Sequence, residues 1–366
     1  YIEQCRSIIM QSRPDLNGKS LDKIIAGNSP FELAPAAAYP AGKKKAYRRG
    51  ILLTHGLSDS PYFMRHLAAI FQENGFRVMA LLLPGHGTRP GDLLDVHWSE
   101  WQKSVAYGVD QLSREVDEVY LGGYSAGATL SIHQSLHDAR VRGLFLFAPA
   151  LKISPKAAFA NFHKSYSWMK PAARWLTIKP DLDEYKYESF PKNAAAQMYA
   201  LTQALHKSLN KREVKIPVFA VTSQDDVTVR TSAAVDFMLQ ASHPANKLVY
   251  YFSNAATLPQ AFAKDRFEAV DSVFPEQKIL GSAHTAIVLP PEDSYYGECG
   301  AYNNCAHYYP LAIDKYAICN TQPGEIWSGE ITRENLRKHT LRRLMYNPNF
   351  LSTKLAMGRF IDNLPV

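Results

Sequence analysis

The chain has no apolar run of about 18 residues, the length a bilayer-spanning helix requires, so no segment reads as a membrane span. Cysteine is scarce: there are only Cys5, Cys299, Cys305 and Cys319. None of these forms a C-x-x-C pair, which argues against zinc. Gly122-Gly123 precede Tyr124, but the third glycine of a dinucleotide fingerprint is missing. A phosphate loop, internal repeats and low-complexity tracts are also lacking. His133 and His137 stand at a metal-like spacing, but no Glu follows the first and no third ligand suggests itself. The expectation is a protein with no cofactor and no metal.

What is present is a core-forming composition. In 366 residues, 46% are hydrophobic, enough for a sizeable core, and the formal charge is 41 − 34 = +7. The basic residues are spread along the chain. Their one dense run, Lys43-Lys44-Lys45 with Arg48 and Arg49, reads as a solvated approach to a strand, so no nucleic-acid partner is expected. The first residue is Tyr1 rather than Met, which a removed leader and a shortened chain explain equally well. Cys299 and Cys305 lie in a loop rich in Tyr, Gly and Asn, where a staple would help. A Cys299–Cys305 disulfide and an extracytoplasmic location are therefore expected, with free thiols in a cytosolic protein as the alternative.

Residues 1–47 are weakly patterned, and Pro14, Pro30, Pro35 and Pro40 interrupt any long element. A regular alternation then begins. Strands are expected at 50–54, 77–83, 118–123 and 143–148, with helices at 61–74, 98–116 and 126–137 between them. Short apolar runs separated by helices imply a parallel sheet covered on both faces, an α/β fold. Residues 151–212 break the rhythm with many aromatics, including Phe159, Phe162, Tyr166, Trp168, Trp175 and Tyr187. A strand at 216–221, a helix at 231–241 and a strand at 247–252 follow. An excursion at 254–275 precedes an apolar run at 277–280, and a basic, helical tail begins near Thr332, with Pro348 ending one helix.

The strongest local feature is Gly123-Tyr124-Ser125-Ala126-Gly127, set between a strand and a helix. A nucleophile on so sharp a turn sits in strained backbone, and small residues on either side let the chain segments pass closely. A neutral hydroxyl needs a base. Of twelve histidines, His284 stands out because it follows the last expected strand, in the chain order Ser…Asp…His. The base in turn needs a carboxylate to orient it, and the loop after strand 216–221 offers Asp226 or Asp225. Asp226 is preferred, since its Asp-x-Thr-Val setting leaves it poised on the loop. Backbone N–H groups of Leu57, after His55-Gly56, and of Ala126 are the expected oxyanion donors. His55 and His86 read as structural.

Thr54-His55-Gly56-Leu57, Leu83-Pro84-Gly85-His86-Gly87-Thr88, Trp98–Trp101, Gly123–Gly127, Asp226–Val229 and Ser282–Thr285 together resemble the bacterial carboxylesterase and monoacylglycerol-lipase group. The resemblance spans about residues 48–291. It implies an α/β-hydrolase fold, a mostly parallel central sheet with helices on both faces and a helical cap. It also implies a Ser125–His284–Asp226 triad acting through an acyl-enzyme. The implied layout is an N-terminal extension at 1–47, a core at 48–150 and 213–366, and a cap at 151–212. Two departures stand out: Ala128 replaces the group's usual second glycine, and 58 residues separate Asp226 from His284, more than is usual. The expected substrate is a small-molecule or lipid ester with a short or medium acyl chain, monoacylglycerol included, and peripheral membrane contact is compatible with this. A lysophospholipase, thioesterase, amidase or acyltransferase would use the same triad, and a non-catalytic binding protein would usually have lost part of it.

Overall fold

Runs such as Ile51-Leu52-Leu53 have no polar alternation, so they can be satisfied only where both faces of a strand are covered. A computed structural model describes residues 1–13, 21–39, 44–153, 171–259, 262–263, 265–321 and 323–365. The chain divides into two compact units, Tyr1–Phe145 with Ile153–Ile216, and Leu146–Lys152 with Pro217–Val366.

The first unit opens with helices α1 (Ile2–Ser12) and α2 (Leu21–Asn28) and the short strand β1 (Phe31–Leu33). These elements were not legible in the weak pattern of residues 1–47. Strand β2 (Tyr47–Thr54), helix α3 (Arg65–Glu73), strand β3 (Phe76–Ala80), helix α4 (Trp98–Glu115), strand β4 (Val116–Tyr124), helix α5 (Ala126–Ser135) and strand β5 (Val141–Phe147) follow in alternation. The strand order is β1-β3-β2-β4-β5. β2 runs parallel to both β3 and β4, and β1 pairs antiparallel with β3. Helix α4 begins with a capping box in which the His97 side chain accepts from Ser99 N–H and Glu100 accepts from His97 N–H. It settles closely on β2 at Gly108, where an added Cβ would lie 2.7 Å from the Leu52 side chain.

Of the expected cap, Phe159, Phe162, Tyr166 and Trp168 lie outside the described residues. Its described part forms a two-stranded antiparallel piece, β6 (Trp175–Thr177) with β7 (Phe190–Pro191), followed by helix α6 (Lys192–Leu209). The strand expected at 77–83 stops at Ala80. Leu81 N–H still bonds to Leu53 O at 3.0 Å, but Leu83 N–H is taken by the His55 side chain rather than by a neighbouring strand.

In the second unit, β8 (Val218–Ser223), helix α7 (Thr231–Gln240), β9 (Lys247–Phe252) and β10 (Phe267–Asp271) form a parallel set in the order β8-β9-β10. β10 lies within the region expected to be an excursion. Conversely, Ile279 is not in a sheet strand and makes only isolated bridges to Phe274 and Ser328. Farther on come helix α8 (Ile313–Thr321), strand β11 (Trp327–Gly329), helix α9 (Arg333–Lys338), strand β12 (Leu341–Arg343) and helix α10 (Phe350–Asp362). β11 and β12 pair in parallel, so the tail is not simply helical. Pro348 precedes α10 rather than ending a helix.

The expected Cys299–Cys305 disulfide is not the one formed. Cys305 is joined to Cys319, with Cα atoms 6.0 Å apart, and Cys299 is exposed and outside any disulfide. The cause is local folding. A turn at Ala306–Tyr308 and helix α8 bring Cys319 back, and both cysteines are buried with Tyr308 against Ala312, Tyr316 and Leu336. Cys299 instead sits in a surface turn closed by Gly300 N–H to Gly297 O.

Candidate active site

Strand β4 runs directly into α5 with Ser125 alone between them, so the chain must reverse within one residue. Ser125 takes φ 54° and ψ −111° to do so. This is a conformation that L-residues avoid unless the surroundings enforce it. The flanking glycines are sterically required. A Cβ on Gly123 would lie 2.3 Å from the Gly127 carbonyl carbon, and one on Gly127 would lie 2.0 Å from the Thr54 carbonyl oxygen. Ser125 is 7% exposed and caps the N-terminal end of α5, where backbone N–H groups and the helix dipole favour negative charge.

The loop after β2 is held by buried polar contacts. Leu83 N–H donates to His55 Nε2 at 3.1 Å, which leaves the proton on Nδ1 for the Gly56 carbonyl at 2.8 Å. His86 Nδ1 donates to the Pro84 carbonyl at 3.0 Å, and its ring meets His55 edge-on. Burial holds the pKa of His55 far below the usual imidazole range and that of His86 down at about 4, so both rings are neutral. Both act as struts. Two residues that sequence reasoning missed lie alongside. Lys186 pairs with the buried Asp59 and donates to Ser58 Oγ at 3.0 Å, while Tyr187 N–H bonds to Ser58 O at 2.8 Å. Asp59 packs so tightly that a Cβ on Gly56 would lie 2.2 Å from its carboxylate. Pairing across 127 residues leaves no signal in local sequence.

In the second unit, Asp226 and His284 meet. His284 Nδ1 donates to Asp226 Oδ2 at 2.5 Å, and Asp226 Oδ1 accepts from the N–H groups of Thr228 and Val229 at 2.8 and 2.9 Å. Burial alone would raise the Asp226 pKa, but His284 and the two N–H groups outweigh it and hold the carboxyl below its usual range. With Nδ1 directed at the carboxylate, Nε2 is the ring nitrogen left to accept a proton, the arrangement a general base requires. Asp225 points elsewhere. Its Oδ1 accepts from Ser253 Oγ at 2.6 Å, and burial raises its pKa to about 6. Of the two acids the sequence left open, the fold brings Asp226 to His284.

His133 and His137 stack at 4.5 Å, with His137 Nδ1 donating to the His133 carbonyl at 2.8 Å. Among the described residues, no group of three or more His, Cys, Asp or Glu side chains is arranged to hold a metal ion.

A nearly all-parallel sheet with a strand–Gly-x-Ser-x-Gly–helix turn defines an enzyme class, the α/β-hydrolases, here of the esterase and lipase type. Within that class, the chain belongs to the hydrolase family described as serine aminopeptidase, S33, whose profile matches residues 45–255. It is similar to a thermostable monoacylglycerol lipase of Bacillus sp. strain H-257, with 25% identity over 206 residues that cover 56% of this chain and 81% of the relative. It is also similar to a carboxylesterase of Bacillus subtilis strain 168, with 22% identity over 188 residues covering 51% and 75%. Among solved structures it resembles a metagenome-derived lipolytic enzyme described with LipS and LipT, at TM-score 0.52 and 23% identity, covering 61% of this chain and 87% of the other. Among the described residues, no helix is long and apolar enough to cross a membrane.

Proposed function

We propose that the chain hydrolyses carboxylic esters through Ser125, His284 and Asp226. The observation that carries this reading is the strained backbone of Ser125 at the β4–α5 turn, which sets the hydroxyl-bearing residue at the N-terminal end of α5. The Asp226–His284 hydrogen bond supports the base half of the mechanism.

In this mechanism His284 Nε2 takes the hydroxyl proton as Ser125 Oγ attacks the ester carbonyl. The oxyanion of the tetrahedral intermediate is met by the backbone N–H groups of Leu57 and Ala126. Collapse expels the alcohol, which receives the proton from His284, and leaves an acyl-serine. Water, activated by His284 in the same way, then releases the acid. Asp226 fixes the imidazole tautomer and stabilises the imidazolium in both halves.

Residues 151–212 act as the cap in this reading, and Leu176, Ile178 and Leu182, each more than half exposed, give it apolar surface for an acyl chain. Short or medium acyl esters, monoacylglycerol among them, are the proposed substrates, in keeping with the two Bacillus relatives. The family's description favours amide substrates as a second reading.

The test compares wild type with Ser125→Ala on p-nitrophenyl esters of graded chain length and on L-aminoacyl p-nitroanilides. Loss of a triad nucleophile costs on the order of 10⁴–10⁶ in turnover. Wild-type ester turnover that collapses in the variant is the expected result, and equal rates in the two proteins would sink the proposal. Turnover of anilides in place of esters would select the second reading.

A further inference from the structure

One short stretch of chain, well past the residues the family profile covers, grips the loop that carries His284. Leu280 N–H bonds to Ser328 O at 2.9 Å, and Ser328 N–H bonds back to Lys278 O at 2.8 Å. His284 N–H donates to Glu330 Oε2 at 3.0 Å, and Thr285 Oγ donates to Leu344 O at 2.7 Å. The His284 loop is thus fixed on both sides of the imidazole by residues 328–344.

Glu330 is the one charged member of this grip, and it is 1% exposed. A buried carboxylate is costly unless it is paired and its lone pairs are filled. Arg343 meets this need, with Nε 2.9 Å from Oε1 and Nη2 donating to Oε2 at 3.0 Å, while Ile331 N–H adds a bond to Oε1 at 2.9 Å. The same Nη2 donates to Thr228 Oγ at 2.6 Å, and Thr228 N–H in turn holds Asp226 Oδ1. One guanidinium therefore touches the support of His284, through Glu330, and the support of Asp226, through Thr228.

Arg343 sits at the end of β12, and β12 is itself tied to the disulfide-bonded segment. Arg343 N–H bonds to Asn304 O at 3.0 Å, Leu341 N–H to Tyr308 Oη at 2.9 Å, and Arg342 Nε to Cys319 O at 2.8 Å. The residues holding β12 thus flank or include both half-cystines, Cys305 and Cys319.

We propose that Glu330 and Arg343 are positioning residues for the Asp226–His284 pair, anchored by the Cys305–Cys319 disulfide. The proposal rests on the catalytic reading above for its consequence in turnover. A pair that sets the orientation of a general base acts on the chemical step rather than on substrate affinity. Removing it should lower kcat and leave KM nearly unchanged.

The experiment compares wild type, Ser125→Ala, Glu330→Ala, Glu330→Gln, Arg343→Ala and Arg343→Lys. It measures kcat and KM on one p-nitrophenyl ester, together with the low-field proton resonance of His284 Nδ1–H, which reports the Asp226 bond without needing activity. Both alanine variants should lose about 10- to 100-fold in kcat, with KM within about threefold, and should shift or broaden the resonance. Glu330→Gln, whose amide oxygen can still accept from His284 N–H, and Arg343→Lys should recover part of each loss. Reducing the disulfide should lower kcat in wild type, and by a smaller factor in Arg343→Ala, because coupled changes are not additive. If Glu330→Ala fails to fold, Arg343→Ala carries the test, since that side chain is 21% exposed.

Folded variants with wild-type kcat and an unmoved resonance would overturn the positioning role. An equal effect of reduction in wild type and Arg343→Ala would overturn the anchoring role. If Ser125→Ala is as active as wild type, the catalytic reading fails by itself, and the resonance still decides whether the pair positions His284.

Discussion

Adjacent carboxyls at positions 225 and 226 end in opposite electrostatic states, and the difference is set by partners rather than by depth. Asp226 gains an imidazole and two N–H donors, whereas Asp225 gains one hydroxyl from Ser253 and stands against the backbone at Gly281. Burial raises the Asp225 pKa from 3.8 to about 6. For an acid with a raised folded pKa, the folded state holds its proton longer than the unfolded state. Its contribution is most favourable below the unfolded pKa and is lost as pH rises through about 6. Asp225→Asn keeps an acceptor for Ser253 without the charge. It should raise Tm relative to wild type at pH 7–8 and give no gain at pH 3.5, with an upper bound of roughly 3 kcal/mol from the shift. Thermal melts of both proteins across this range test it, and a gain independent of pH would contradict the argument. By contrast, Asp226, with its lowered pKa, contributes stability above the unfolded pKa that is lost as pH falls through the folded one. The sequence nominates both acids because each follows a strand, and favours Asp226 on its Asp-x-Thr-Val setting, but the partner that distinguishes them is a histidine 58 residues away. Ser125 was legible because the glycines that permit its turn lie two positions to either side. Lys186, Glu330 and Arg343 were not, because each acts through a distant partner and looks locally like a surface charge.

Helix α4 shows how an element is placed by what it omits. Gly108 lets α4 approach β2 closely enough that any Cβ there would strike Leu52, which is fully buried. Gly108→Val should destabilise the protein by about 1–3 kcal/mol, the usual cost of overpacking. Gly358 in α10 offers a control, because nothing lies within 4 Å of its Cβ position. There, Gly358→Ala should stabilise by about 0.5–1 kcal/mol through helix propensity alone. Denaturant melts of the two variants should move in opposite directions, and a shared direction would show that packing at Gly108 is looser than its contacts imply. The elements from β2 to β5 were legible to within a few residues because strands buried on both faces and amphipathic helices leave distinct periodicities. The elements after β9 were not. β10 reads Phe-Glu-Ala-Val-Asp, β11 and β12 have three residues each, and α9 has six, too few to show a period. The disulfide was mispaired for the same reason. Cys305 and Cys319 are brought together by a turn and a short helix whose boundaries are not visible in the residues between them.

At the scale of the whole chain, Ser125, Leu57 and Ala126 belong to the first compact unit, and Asp226, His284 and their supports belong to the second. The family profile ends at residue 255, so His284 and the segment that grips it lie past its match. What the entire molecule adds to the site is charge, since basic residues exceed acidic ones by 41 − 34 = 7. A dispersed positive field attracts an anionic substrate at long range, over a Debye length of about 10 Å at 0.1 M salt, and has no hold on a neutral one. Lysophosphatidylglycerol and monoacylglycerol of equal chain length separate the two cases. As NaCl rises from about 0.02 to 0.5 M, kcat/KM on the anionic lipid should fall by about two- to tenfold, while that on the neutral lipid stays within about twofold. Parallel curves for the two lipids would mean that the excess charge serves solubility alone. A fall confined to the anionic lipid, together with a higher rate on it at low salt, would move the preferred substrate from neutral glycerides toward lysophospholipids on the same triad.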